Sequence, residues 1–211
     1  MTAGAIGSFL AAHGLESAGF VATAVGIWLT TKRSILCWPI ILAADLLYLG
    51  VFYQARLLSD ALLQFFFIAF TLYGWWNWWR GVRSDGEVRV EPLPMRNLLI
   101  ALFLGAIGSV ALGAVAVRLG AALPYLDATL ASYSLVASWW EARKHTANWW
   151  AWIVIDVIYV GEYWYKQLWL TGVLYAGLVV LAVIGLRAWR RAERARQTAA
   201  CTTFSSGSPA M

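Results

Sequence analysis

The chain has 211 residues, of which 61% are hydrophobic and 13% charged, with a formal net charge of +5. No soluble domain of this size has enough interior to hide that much apolar surface, so the composition excludes a water-soluble fold and points to an integral membrane protein. The apolar runs are long and continuous, unlike the short alternating pattern of a membrane barrel.

At about 20 residues per membrane-spanning helix, seven segments qualify. They cover residues 17–31, 35–53, 61–79, 97–117, 123–140, 149–165 and 168–189. The first is short. The N-terminus lacks a basic leader and a small-residue cleavage site, so it is expected to be the mature start. Two cysteines, Cys37 and Cys201, suggest no disulfide framework or metal cluster.

Thirteen of the sixteen Lys and Arg residues follow odd-numbered helices: Lys32 and Arg33, then Arg80 to Arg96, then Arg143 and Lys144, then Arg187 to Arg196. Only Arg56, Arg118 and Lys166 fall on the other side. The positive-inside rule therefore places the N-terminus outside and the C-terminus in the cytoplasm. The basic tail reads as cytoplasmic retention, and no nucleic-acid partner is expected.

A shift of 111 residues superimposes much of the chain on itself without a gap. Trp28 falls on Trp139, Trp38 on Trp149, Asp45 on Asp156, Tyr48 on Tyr159, Gly74 on Gly185 and Trp78 on Trp189. Helices 1–3 and 5–7 are thus two copies, and a single helix between them gives both the same orientation. The expected fold is all-α, with seven transmembrane helices in the 3+1+3 parallel-repeat plan of SWEET-type sugar transporters. The units are residues 1–83, a loop and linker helix at 84–122, residues 123–197, and a disordered cytoplasmic tail at 198–211. Helix 4 carries a stripe of Gly105, Ser109 and Gly113, which suits close helix packing.

Each copy keeps one carboxylate at membrane depth, where such a group is costly and marks a functional site by default. On helix 6, Trp149, Trp152, Asp156 and Tyr159 share one face. Two indoles, a carboxylate and a phenol make a receptor for a flat organic cation. Helix 2 repeats the face with Trp38, Asp45, Tyr48 and Phe52, but has Ile41 where helix 6 has Trp152. Asp45 suits bracing and substrate contact equally. On helix 3, Gln64, Trp75 and Trp78 share a face, and Gln64 matches Tyr175 in the second copy. The tryptophans at the end of helix 3 also suit an interfacial belt. Asp127, just after Pro124, suits a helix-dipole role as well as a pore mouth. No phosphate-binding loop, histidine-based metal site or nucleophile elbow is present. Neither an ATP-driven pump nor an enzyme is indicated, and no cofactor or metal is expected.

The runs Leu62–Phe67 and Tyr73–Trp78, Arg143–Lys144 with Asn148–Trp152, and Gly185–Trp189 resemble the PnuC vitamin transporters. The resemblance covers about two thirds of the chain; Trp149-x-x-Trp152 followed by Asp156 is its most specific part. It implies import of nicotinamide riboside, with thiamine, riboflavin or deoxynucleosides carried by close relatives. It further implies a bacterial inner membrane location, a homotrimer, and facilitated diffusion made one-way by cytoplasmic phosphorylation. The expected substrate-binding residues are Trp149, Trp152, Asp156, Asn148, Tyr159, Gln64, Trp75, Trp78, Tyr175 and Asp127. A membrane sensor or scaffold that binds without transporting is the competing class.

Overall fold

The structure is a computed structural model that describes residues 3–54, 58–81, 88–120, 123–165, 167 and 169–206. Seven helices make up almost all of this: α1 (Ala3–Thr31), α2 (Cys37–Gln54), α3 (Leu58–Trp79), α4 (Met95–Arg118), α5 (Pro124–Ala142), α6 (Ala147–Tyr165) and α7 (Trp169–Ser206). Among the described residues, α2, α4 and the 171–198 part of α7 are long and apolar enough to cross a membrane, and 17–31 is a shorter apolar stretch. The remaining helices reach 19 to 22 residues but are rich in Trp, Tyr and amides, which lower their mean hydropathy.

Two ends differ from the sequence expectation. Helix α1 begins at Ala3, well before residue 17, because its Ala-rich start favours helix without being strongly apolar. Helix α7 continues to Ser206, so residues 198–206 are helical where disorder was expected; residues 207–211 lie outside the described residues. The Arg- and Ala-rich segment after Trp189 consists of strong helix formers and carries α7 onward.

Helices α1 and α5 end the same way. At the end of α1, Arg33 N–H bonds Thr30 O at 2.9 Å and Ser34 N–H bonds Leu29 O at 3.1 Å. At the end of α5, Lys144 N–H bonds Glu141 O and His145 N–H bonds Trp140 O, both at 2.9 Å. These are Schellman closures, and Arg33 (φ 57°) and Lys144 (φ 64°) take the left-handed conformation they require. The two closures are 111 residues apart.

Helices α1, α2 and α3 pack in sequence, as do α4, α5, α6 and α7. Two further pairs join the triplets, α3 with α5 and α1 with α7. Helix α4 packs on α5 through its small residues: Ser132 Oγ donates to Gly105 O at 2.9 Å, and a Cβ on Gly113 would meet the Tyr125 ring. Its outer face exposes Leu99, Phe103, Ile107 and Val110.

At the basic end, four buried tryptophans bind the triplets together. Trp38 meets Trp78 edge-on (5.2 Å, 82°), Trp78 meets Trp189 (5.8 Å), and Trp189 meets Trp149 edge-on (5.5 Å, 86°). Gly74 leaves room for the Trp38 ring and Gly185 for the Trp149 ring; a Cβ at either would collide with the indole. Gly74 is therefore a close-packing position. Last-turn carbonyls, which lack a partner within their own helix, receive the crossing hydrogen bonds. Trp78 Nε1 donates to Glu141 O (3.1 Å) and Trp189 Nε1 to Thr30 O (2.9 Å).

Residues 88–91, ahead of α4, pack on the bundle. Val88 and Val90 are buried against the tryptophan cluster. Glu91 N–H donates to Lys144 O at 2.9 Å, and Arg196 Nη1 donates to Val90 O at 3.1 Å. Lys144 is buried here, and desolvation holds its ammonium below the ordinary lysine range, partly offset by the Glu91 carboxylate.

Candidate functional site

A cavity of about 510 Å³ lies between the triplets. That volume falls within the ~300–1,000 Å³ of typical small-molecule sites. Its wall draws on α1, α2, α3, α5, α6 and α7, so neither triplet forms it alone. Trp38 and Trp149 reach it from the tryptophan cluster. Tyr48, Phe52, Tyr159, Tyr163 and Tyr175 line it further along α2, α6 and α7.

Six of the ten expected site residues are on this wall: Trp149, Trp152, Asp156, Tyr159, Gln64 and Tyr175. Four are elsewhere. Trp78 is fully buried in the tryptophan cluster, with its N–H on Glu141 O. Trp75 is exposed and lies one turn beyond Thr71, the last α3 residue on the wall, so the cavity ends before reaching it. Asn148 is fully buried in the first turn of α6, where Nδ2 donates to His145 O at 2.6 Å. Asp127 stands half-buried in the first turn of α5, where a carboxylate favours the helix dipole.

The carboxylates on α2 and α6 occupy matching positions but have different surroundings. Asp45 Oδ1 accepts Gln64 Nε2 at 3.0 Å and Oδ2 accepts Thr71 Oγ1 at 2.7 Å. The residues 111 further on from these donors are Tyr175 and Ala182. Alanine has nothing to donate, and Tyr175 instead packs on Tyr159 (4.8 Å) and Tyr163 (5.1 Å). Asp156 is 6% exposed, and no described residue donates a hydrogen bond to it. Gln64 is thus a brace for Asp45 as well as part of the wall.

Aromatic pairs repeat as well. Tyr48 stacks on Phe52 (5.9 Å, 23°) and Tyr159 on Tyr163 (5.9 Å, 22°). One cavity carboxylate was missed by sequence reasoning: Glu141, whose Oε2 accepts Trp152 Nε1 at 3.3 Å. Its place just before Arg143 and Lys144 suggests a solvated helix end; the 111-residue shift onto Thr30 was the available signal. Asp45, Glu141 and Asp156 put three carboxyl groups on the wall, and no Lys, Arg or His is among the described residues that line it.

The model of the nicotinamide mononucleotide transporter family matches residues 13–191. The chain belongs to the PnuC family of membrane transporters. It is 27% identical over 208 residues to the nicotinamide riboside transporter PnuC of Escherichia coli, covering 86% of this chain and 87% of that protein. It is 28% identical over 176 residues to the riboflavin/roseoflavin transporter RibM of Streptomyces davaonensis, covering 81% and 80%. A crystal structure of the vitamin B3 transporter PnuC has the same fold, with a TM-score of 0.70 over 90% of this chain and 86% of that one, at 21% identity. As a PnuC-family member, the chain is a multi-pass membrane protein that transports its ligand and is not built as an enzyme.

Proposed function

We propose that this PnuC-family protein carries nicotinamide riboside across the bacterial inner membrane by facilitated diffusion, with cytoplasmic phosphorylation of the vitamin keeping import favourable. The observation that carries this reading is Asp156, a buried cavity carboxylate with no donor among the described residues, one helical turn from Trp152. An unpaired carboxylate at membrane depth is costly, and a bound cation relieves that cost. Nicotinamide riboside supplies a flat pyridinium that can stack on indole while its charge faces Asp156. Trp149, Trp152, Tyr159, Gln64 and Tyr175 would complete the contacts. The three wall carboxyl groups disfavour anionic ligands.

The proposed architecture is seven spans in two like-oriented triplets about an axis along the membrane normal. Its support is the pairing of α3 with α5 and α1 with α7, which such an axis interchanges. The matched Trp38–Trp78 and Trp149–Trp189 contacts support it too. Basic residues gather at the tryptophan-cluster end, which supports a cytoplasmic reading of that end and of the C-terminus.

Titration of the purified protein with nicotinamide riboside, thiamine and riboflavin tests the substrate, and counterflow in proteoliposomes tests transport. The expected result is tightest binding of nicotinamide riboside and exchange of the labelled vitamin. Tighter binding of thiamine or riboflavin would reassign the substrate. Binding without exchange would make the protein a sensor or scaffold.

A further inference from the structure

The two triplets differ at two positions together. In the first, Thr30 on α1 and Ile41 on α2 lie eleven residues apart; in the second, the same positions hold Glu141 on α5 and Trp152 on α6. Thr30 and Glu141 do the same structural work: each backbone oxygen accepts the indole N–H of the opposite triplet's tryptophan. A threonine is sufficient for that work. The carboxylate occurs only in the triplet whose α6 carries an indole N–H, and it accepts that N–H at 3.3 Å. Where the neighbour is Ile41, with nothing to donate, the matching residue is a threonine whose hydroxyl donates to Gly26 O at 3.0 Å and reaches the other carboxylate oxygen of Glu141, Oε1, at 3.5 Å.

The contact is also geometrically selective. Trp152 is only partly buried and lies on the cavity wall, packed between Ile155 and Leu130 on one side and the tryptophan cluster on the other. A ring packed by apolar contacts alone can turn about its two side-chain torsions. A hydrogen bond is directional, and it favours one ring plane.

We propose that Glu141 is a positioning residue for ligand binding, fixing the plane of the Trp152 indole against which the flat ligand stacks. The inference rests on the substrate reading above. Glu141 acts through Trp152 and makes its contribution before the ligand arrives, as preorganisation.

The test is a double-mutant cycle on the full-length protein in detergent, read as affinity for nicotinamide riboside, or for thiamine or riboflavin if one of those binds tighter. Glu141→Gln keeps an oxygen acceptor and should bind within about threefold of the unmodified protein. Glu141→Leu and Trp152→Phe, each of which breaks the bond, should each weaken binding by about tenfold. The double variant should be no weaker than the worse single one, because the bond can be lost only once. Glu141→Asp, whose carboxylate is withdrawn by a methylene, stands in if Glu141→Leu does not fold. Affinity within threefold for the variant that breaks the bond, or a roughly hundredfold loss in the double variant, would overturn the inference. If the unmodified protein binds none of the three ligands, the substrate reading fails by itself. The same cycle read as melting temperature then decides whether Glu141 holds Trp152: non-additive losses retain the bond, and additive losses remove it.

Discussion

The triplets α1–α3 and α5–α7 use one skeleton for two jobs. Their tryptophan pairs, close-packing glycines and helix closures match position by position. Their polar side chains do not. The first triplet satisfies its carboxylate internally, through Gln64 and Thr71. The second replaces those donors with Tyr175 and Ala182 and adds Glu141 and Trp152. The cavity wall carries both kinds: the carboxylates Asp45 and Asp156 match, and the side chains around them differ.

The largest effect should come from breaking the shared frame. Gly74→Leu or Gly185→Leu drives a side chain into a buried indole, and overpacked cores respond by shifting backbone. Neither variant should give monodisperse protein by size-exclusion chromatography. Gly161→Ala is the matched control: nothing lies within 4 Å of its added methyl, and its melting temperature should not fall.

The next effect separates the carboxylates. Asp156→Asn should weaken nicotinamide riboside binding at least about tenfold with a melting temperature that does not fall. Asp45→Asn should do the reverse, lowering stability by about 1–3 kcal/mol because one amide oxygen can accept from only one of Gln64 and Thr71, with a smaller change in affinity. Calorimetric titration and thermal unfolding in the same detergent read both quantities. Equal behaviour of the two variants would erase the division of labour.

The smallest effect lies at the rim. Arg143 sits over Trp139 at 5.7 Å and Lys32 over Trp28 at 5.8 Å, again 111 residues apart. Replacing either cation by Gln should cost about 0.5–1 kcal/mol by thermal unfolding, the worth of an exposed cation–π contact. A loss well above that would show that these ends do more than anchor the bundle.

Much of this was legible in the chain. The ends of α2 to α6 fall within a few residues of the apolar runs, because a span is limited by bilayer thickness. The start of α1 and the end of α7 depart from the apolar runs, because Ala- and Arg-rich segments stay helical without strong apolarity. Trp78 and Trp75 were grouped with the cavity residues from helical spacing, yet one is packed in the cluster and the other faces outward. The aromatic helices are apolar nearly all round, so periodicity does not choose a face. Glu141 was not legible for the complementary reason: adjacent basic residues suggest solvent, whereas Trp152 on α6 and Thr30 on α1 meet its carboxylate in the packed bundle.

Helix number, the doubling of the chain and the one-sided placement of cations are linear properties, fixed by run length, spacing and composition before any contact forms. Which buried polar group finds a donor is not linear. It depends on which helix faces lie side by side, and only the packed bundle distinguishes the braced Asp45 from the unpaired Asp156 or brings Glu141 under Trp152.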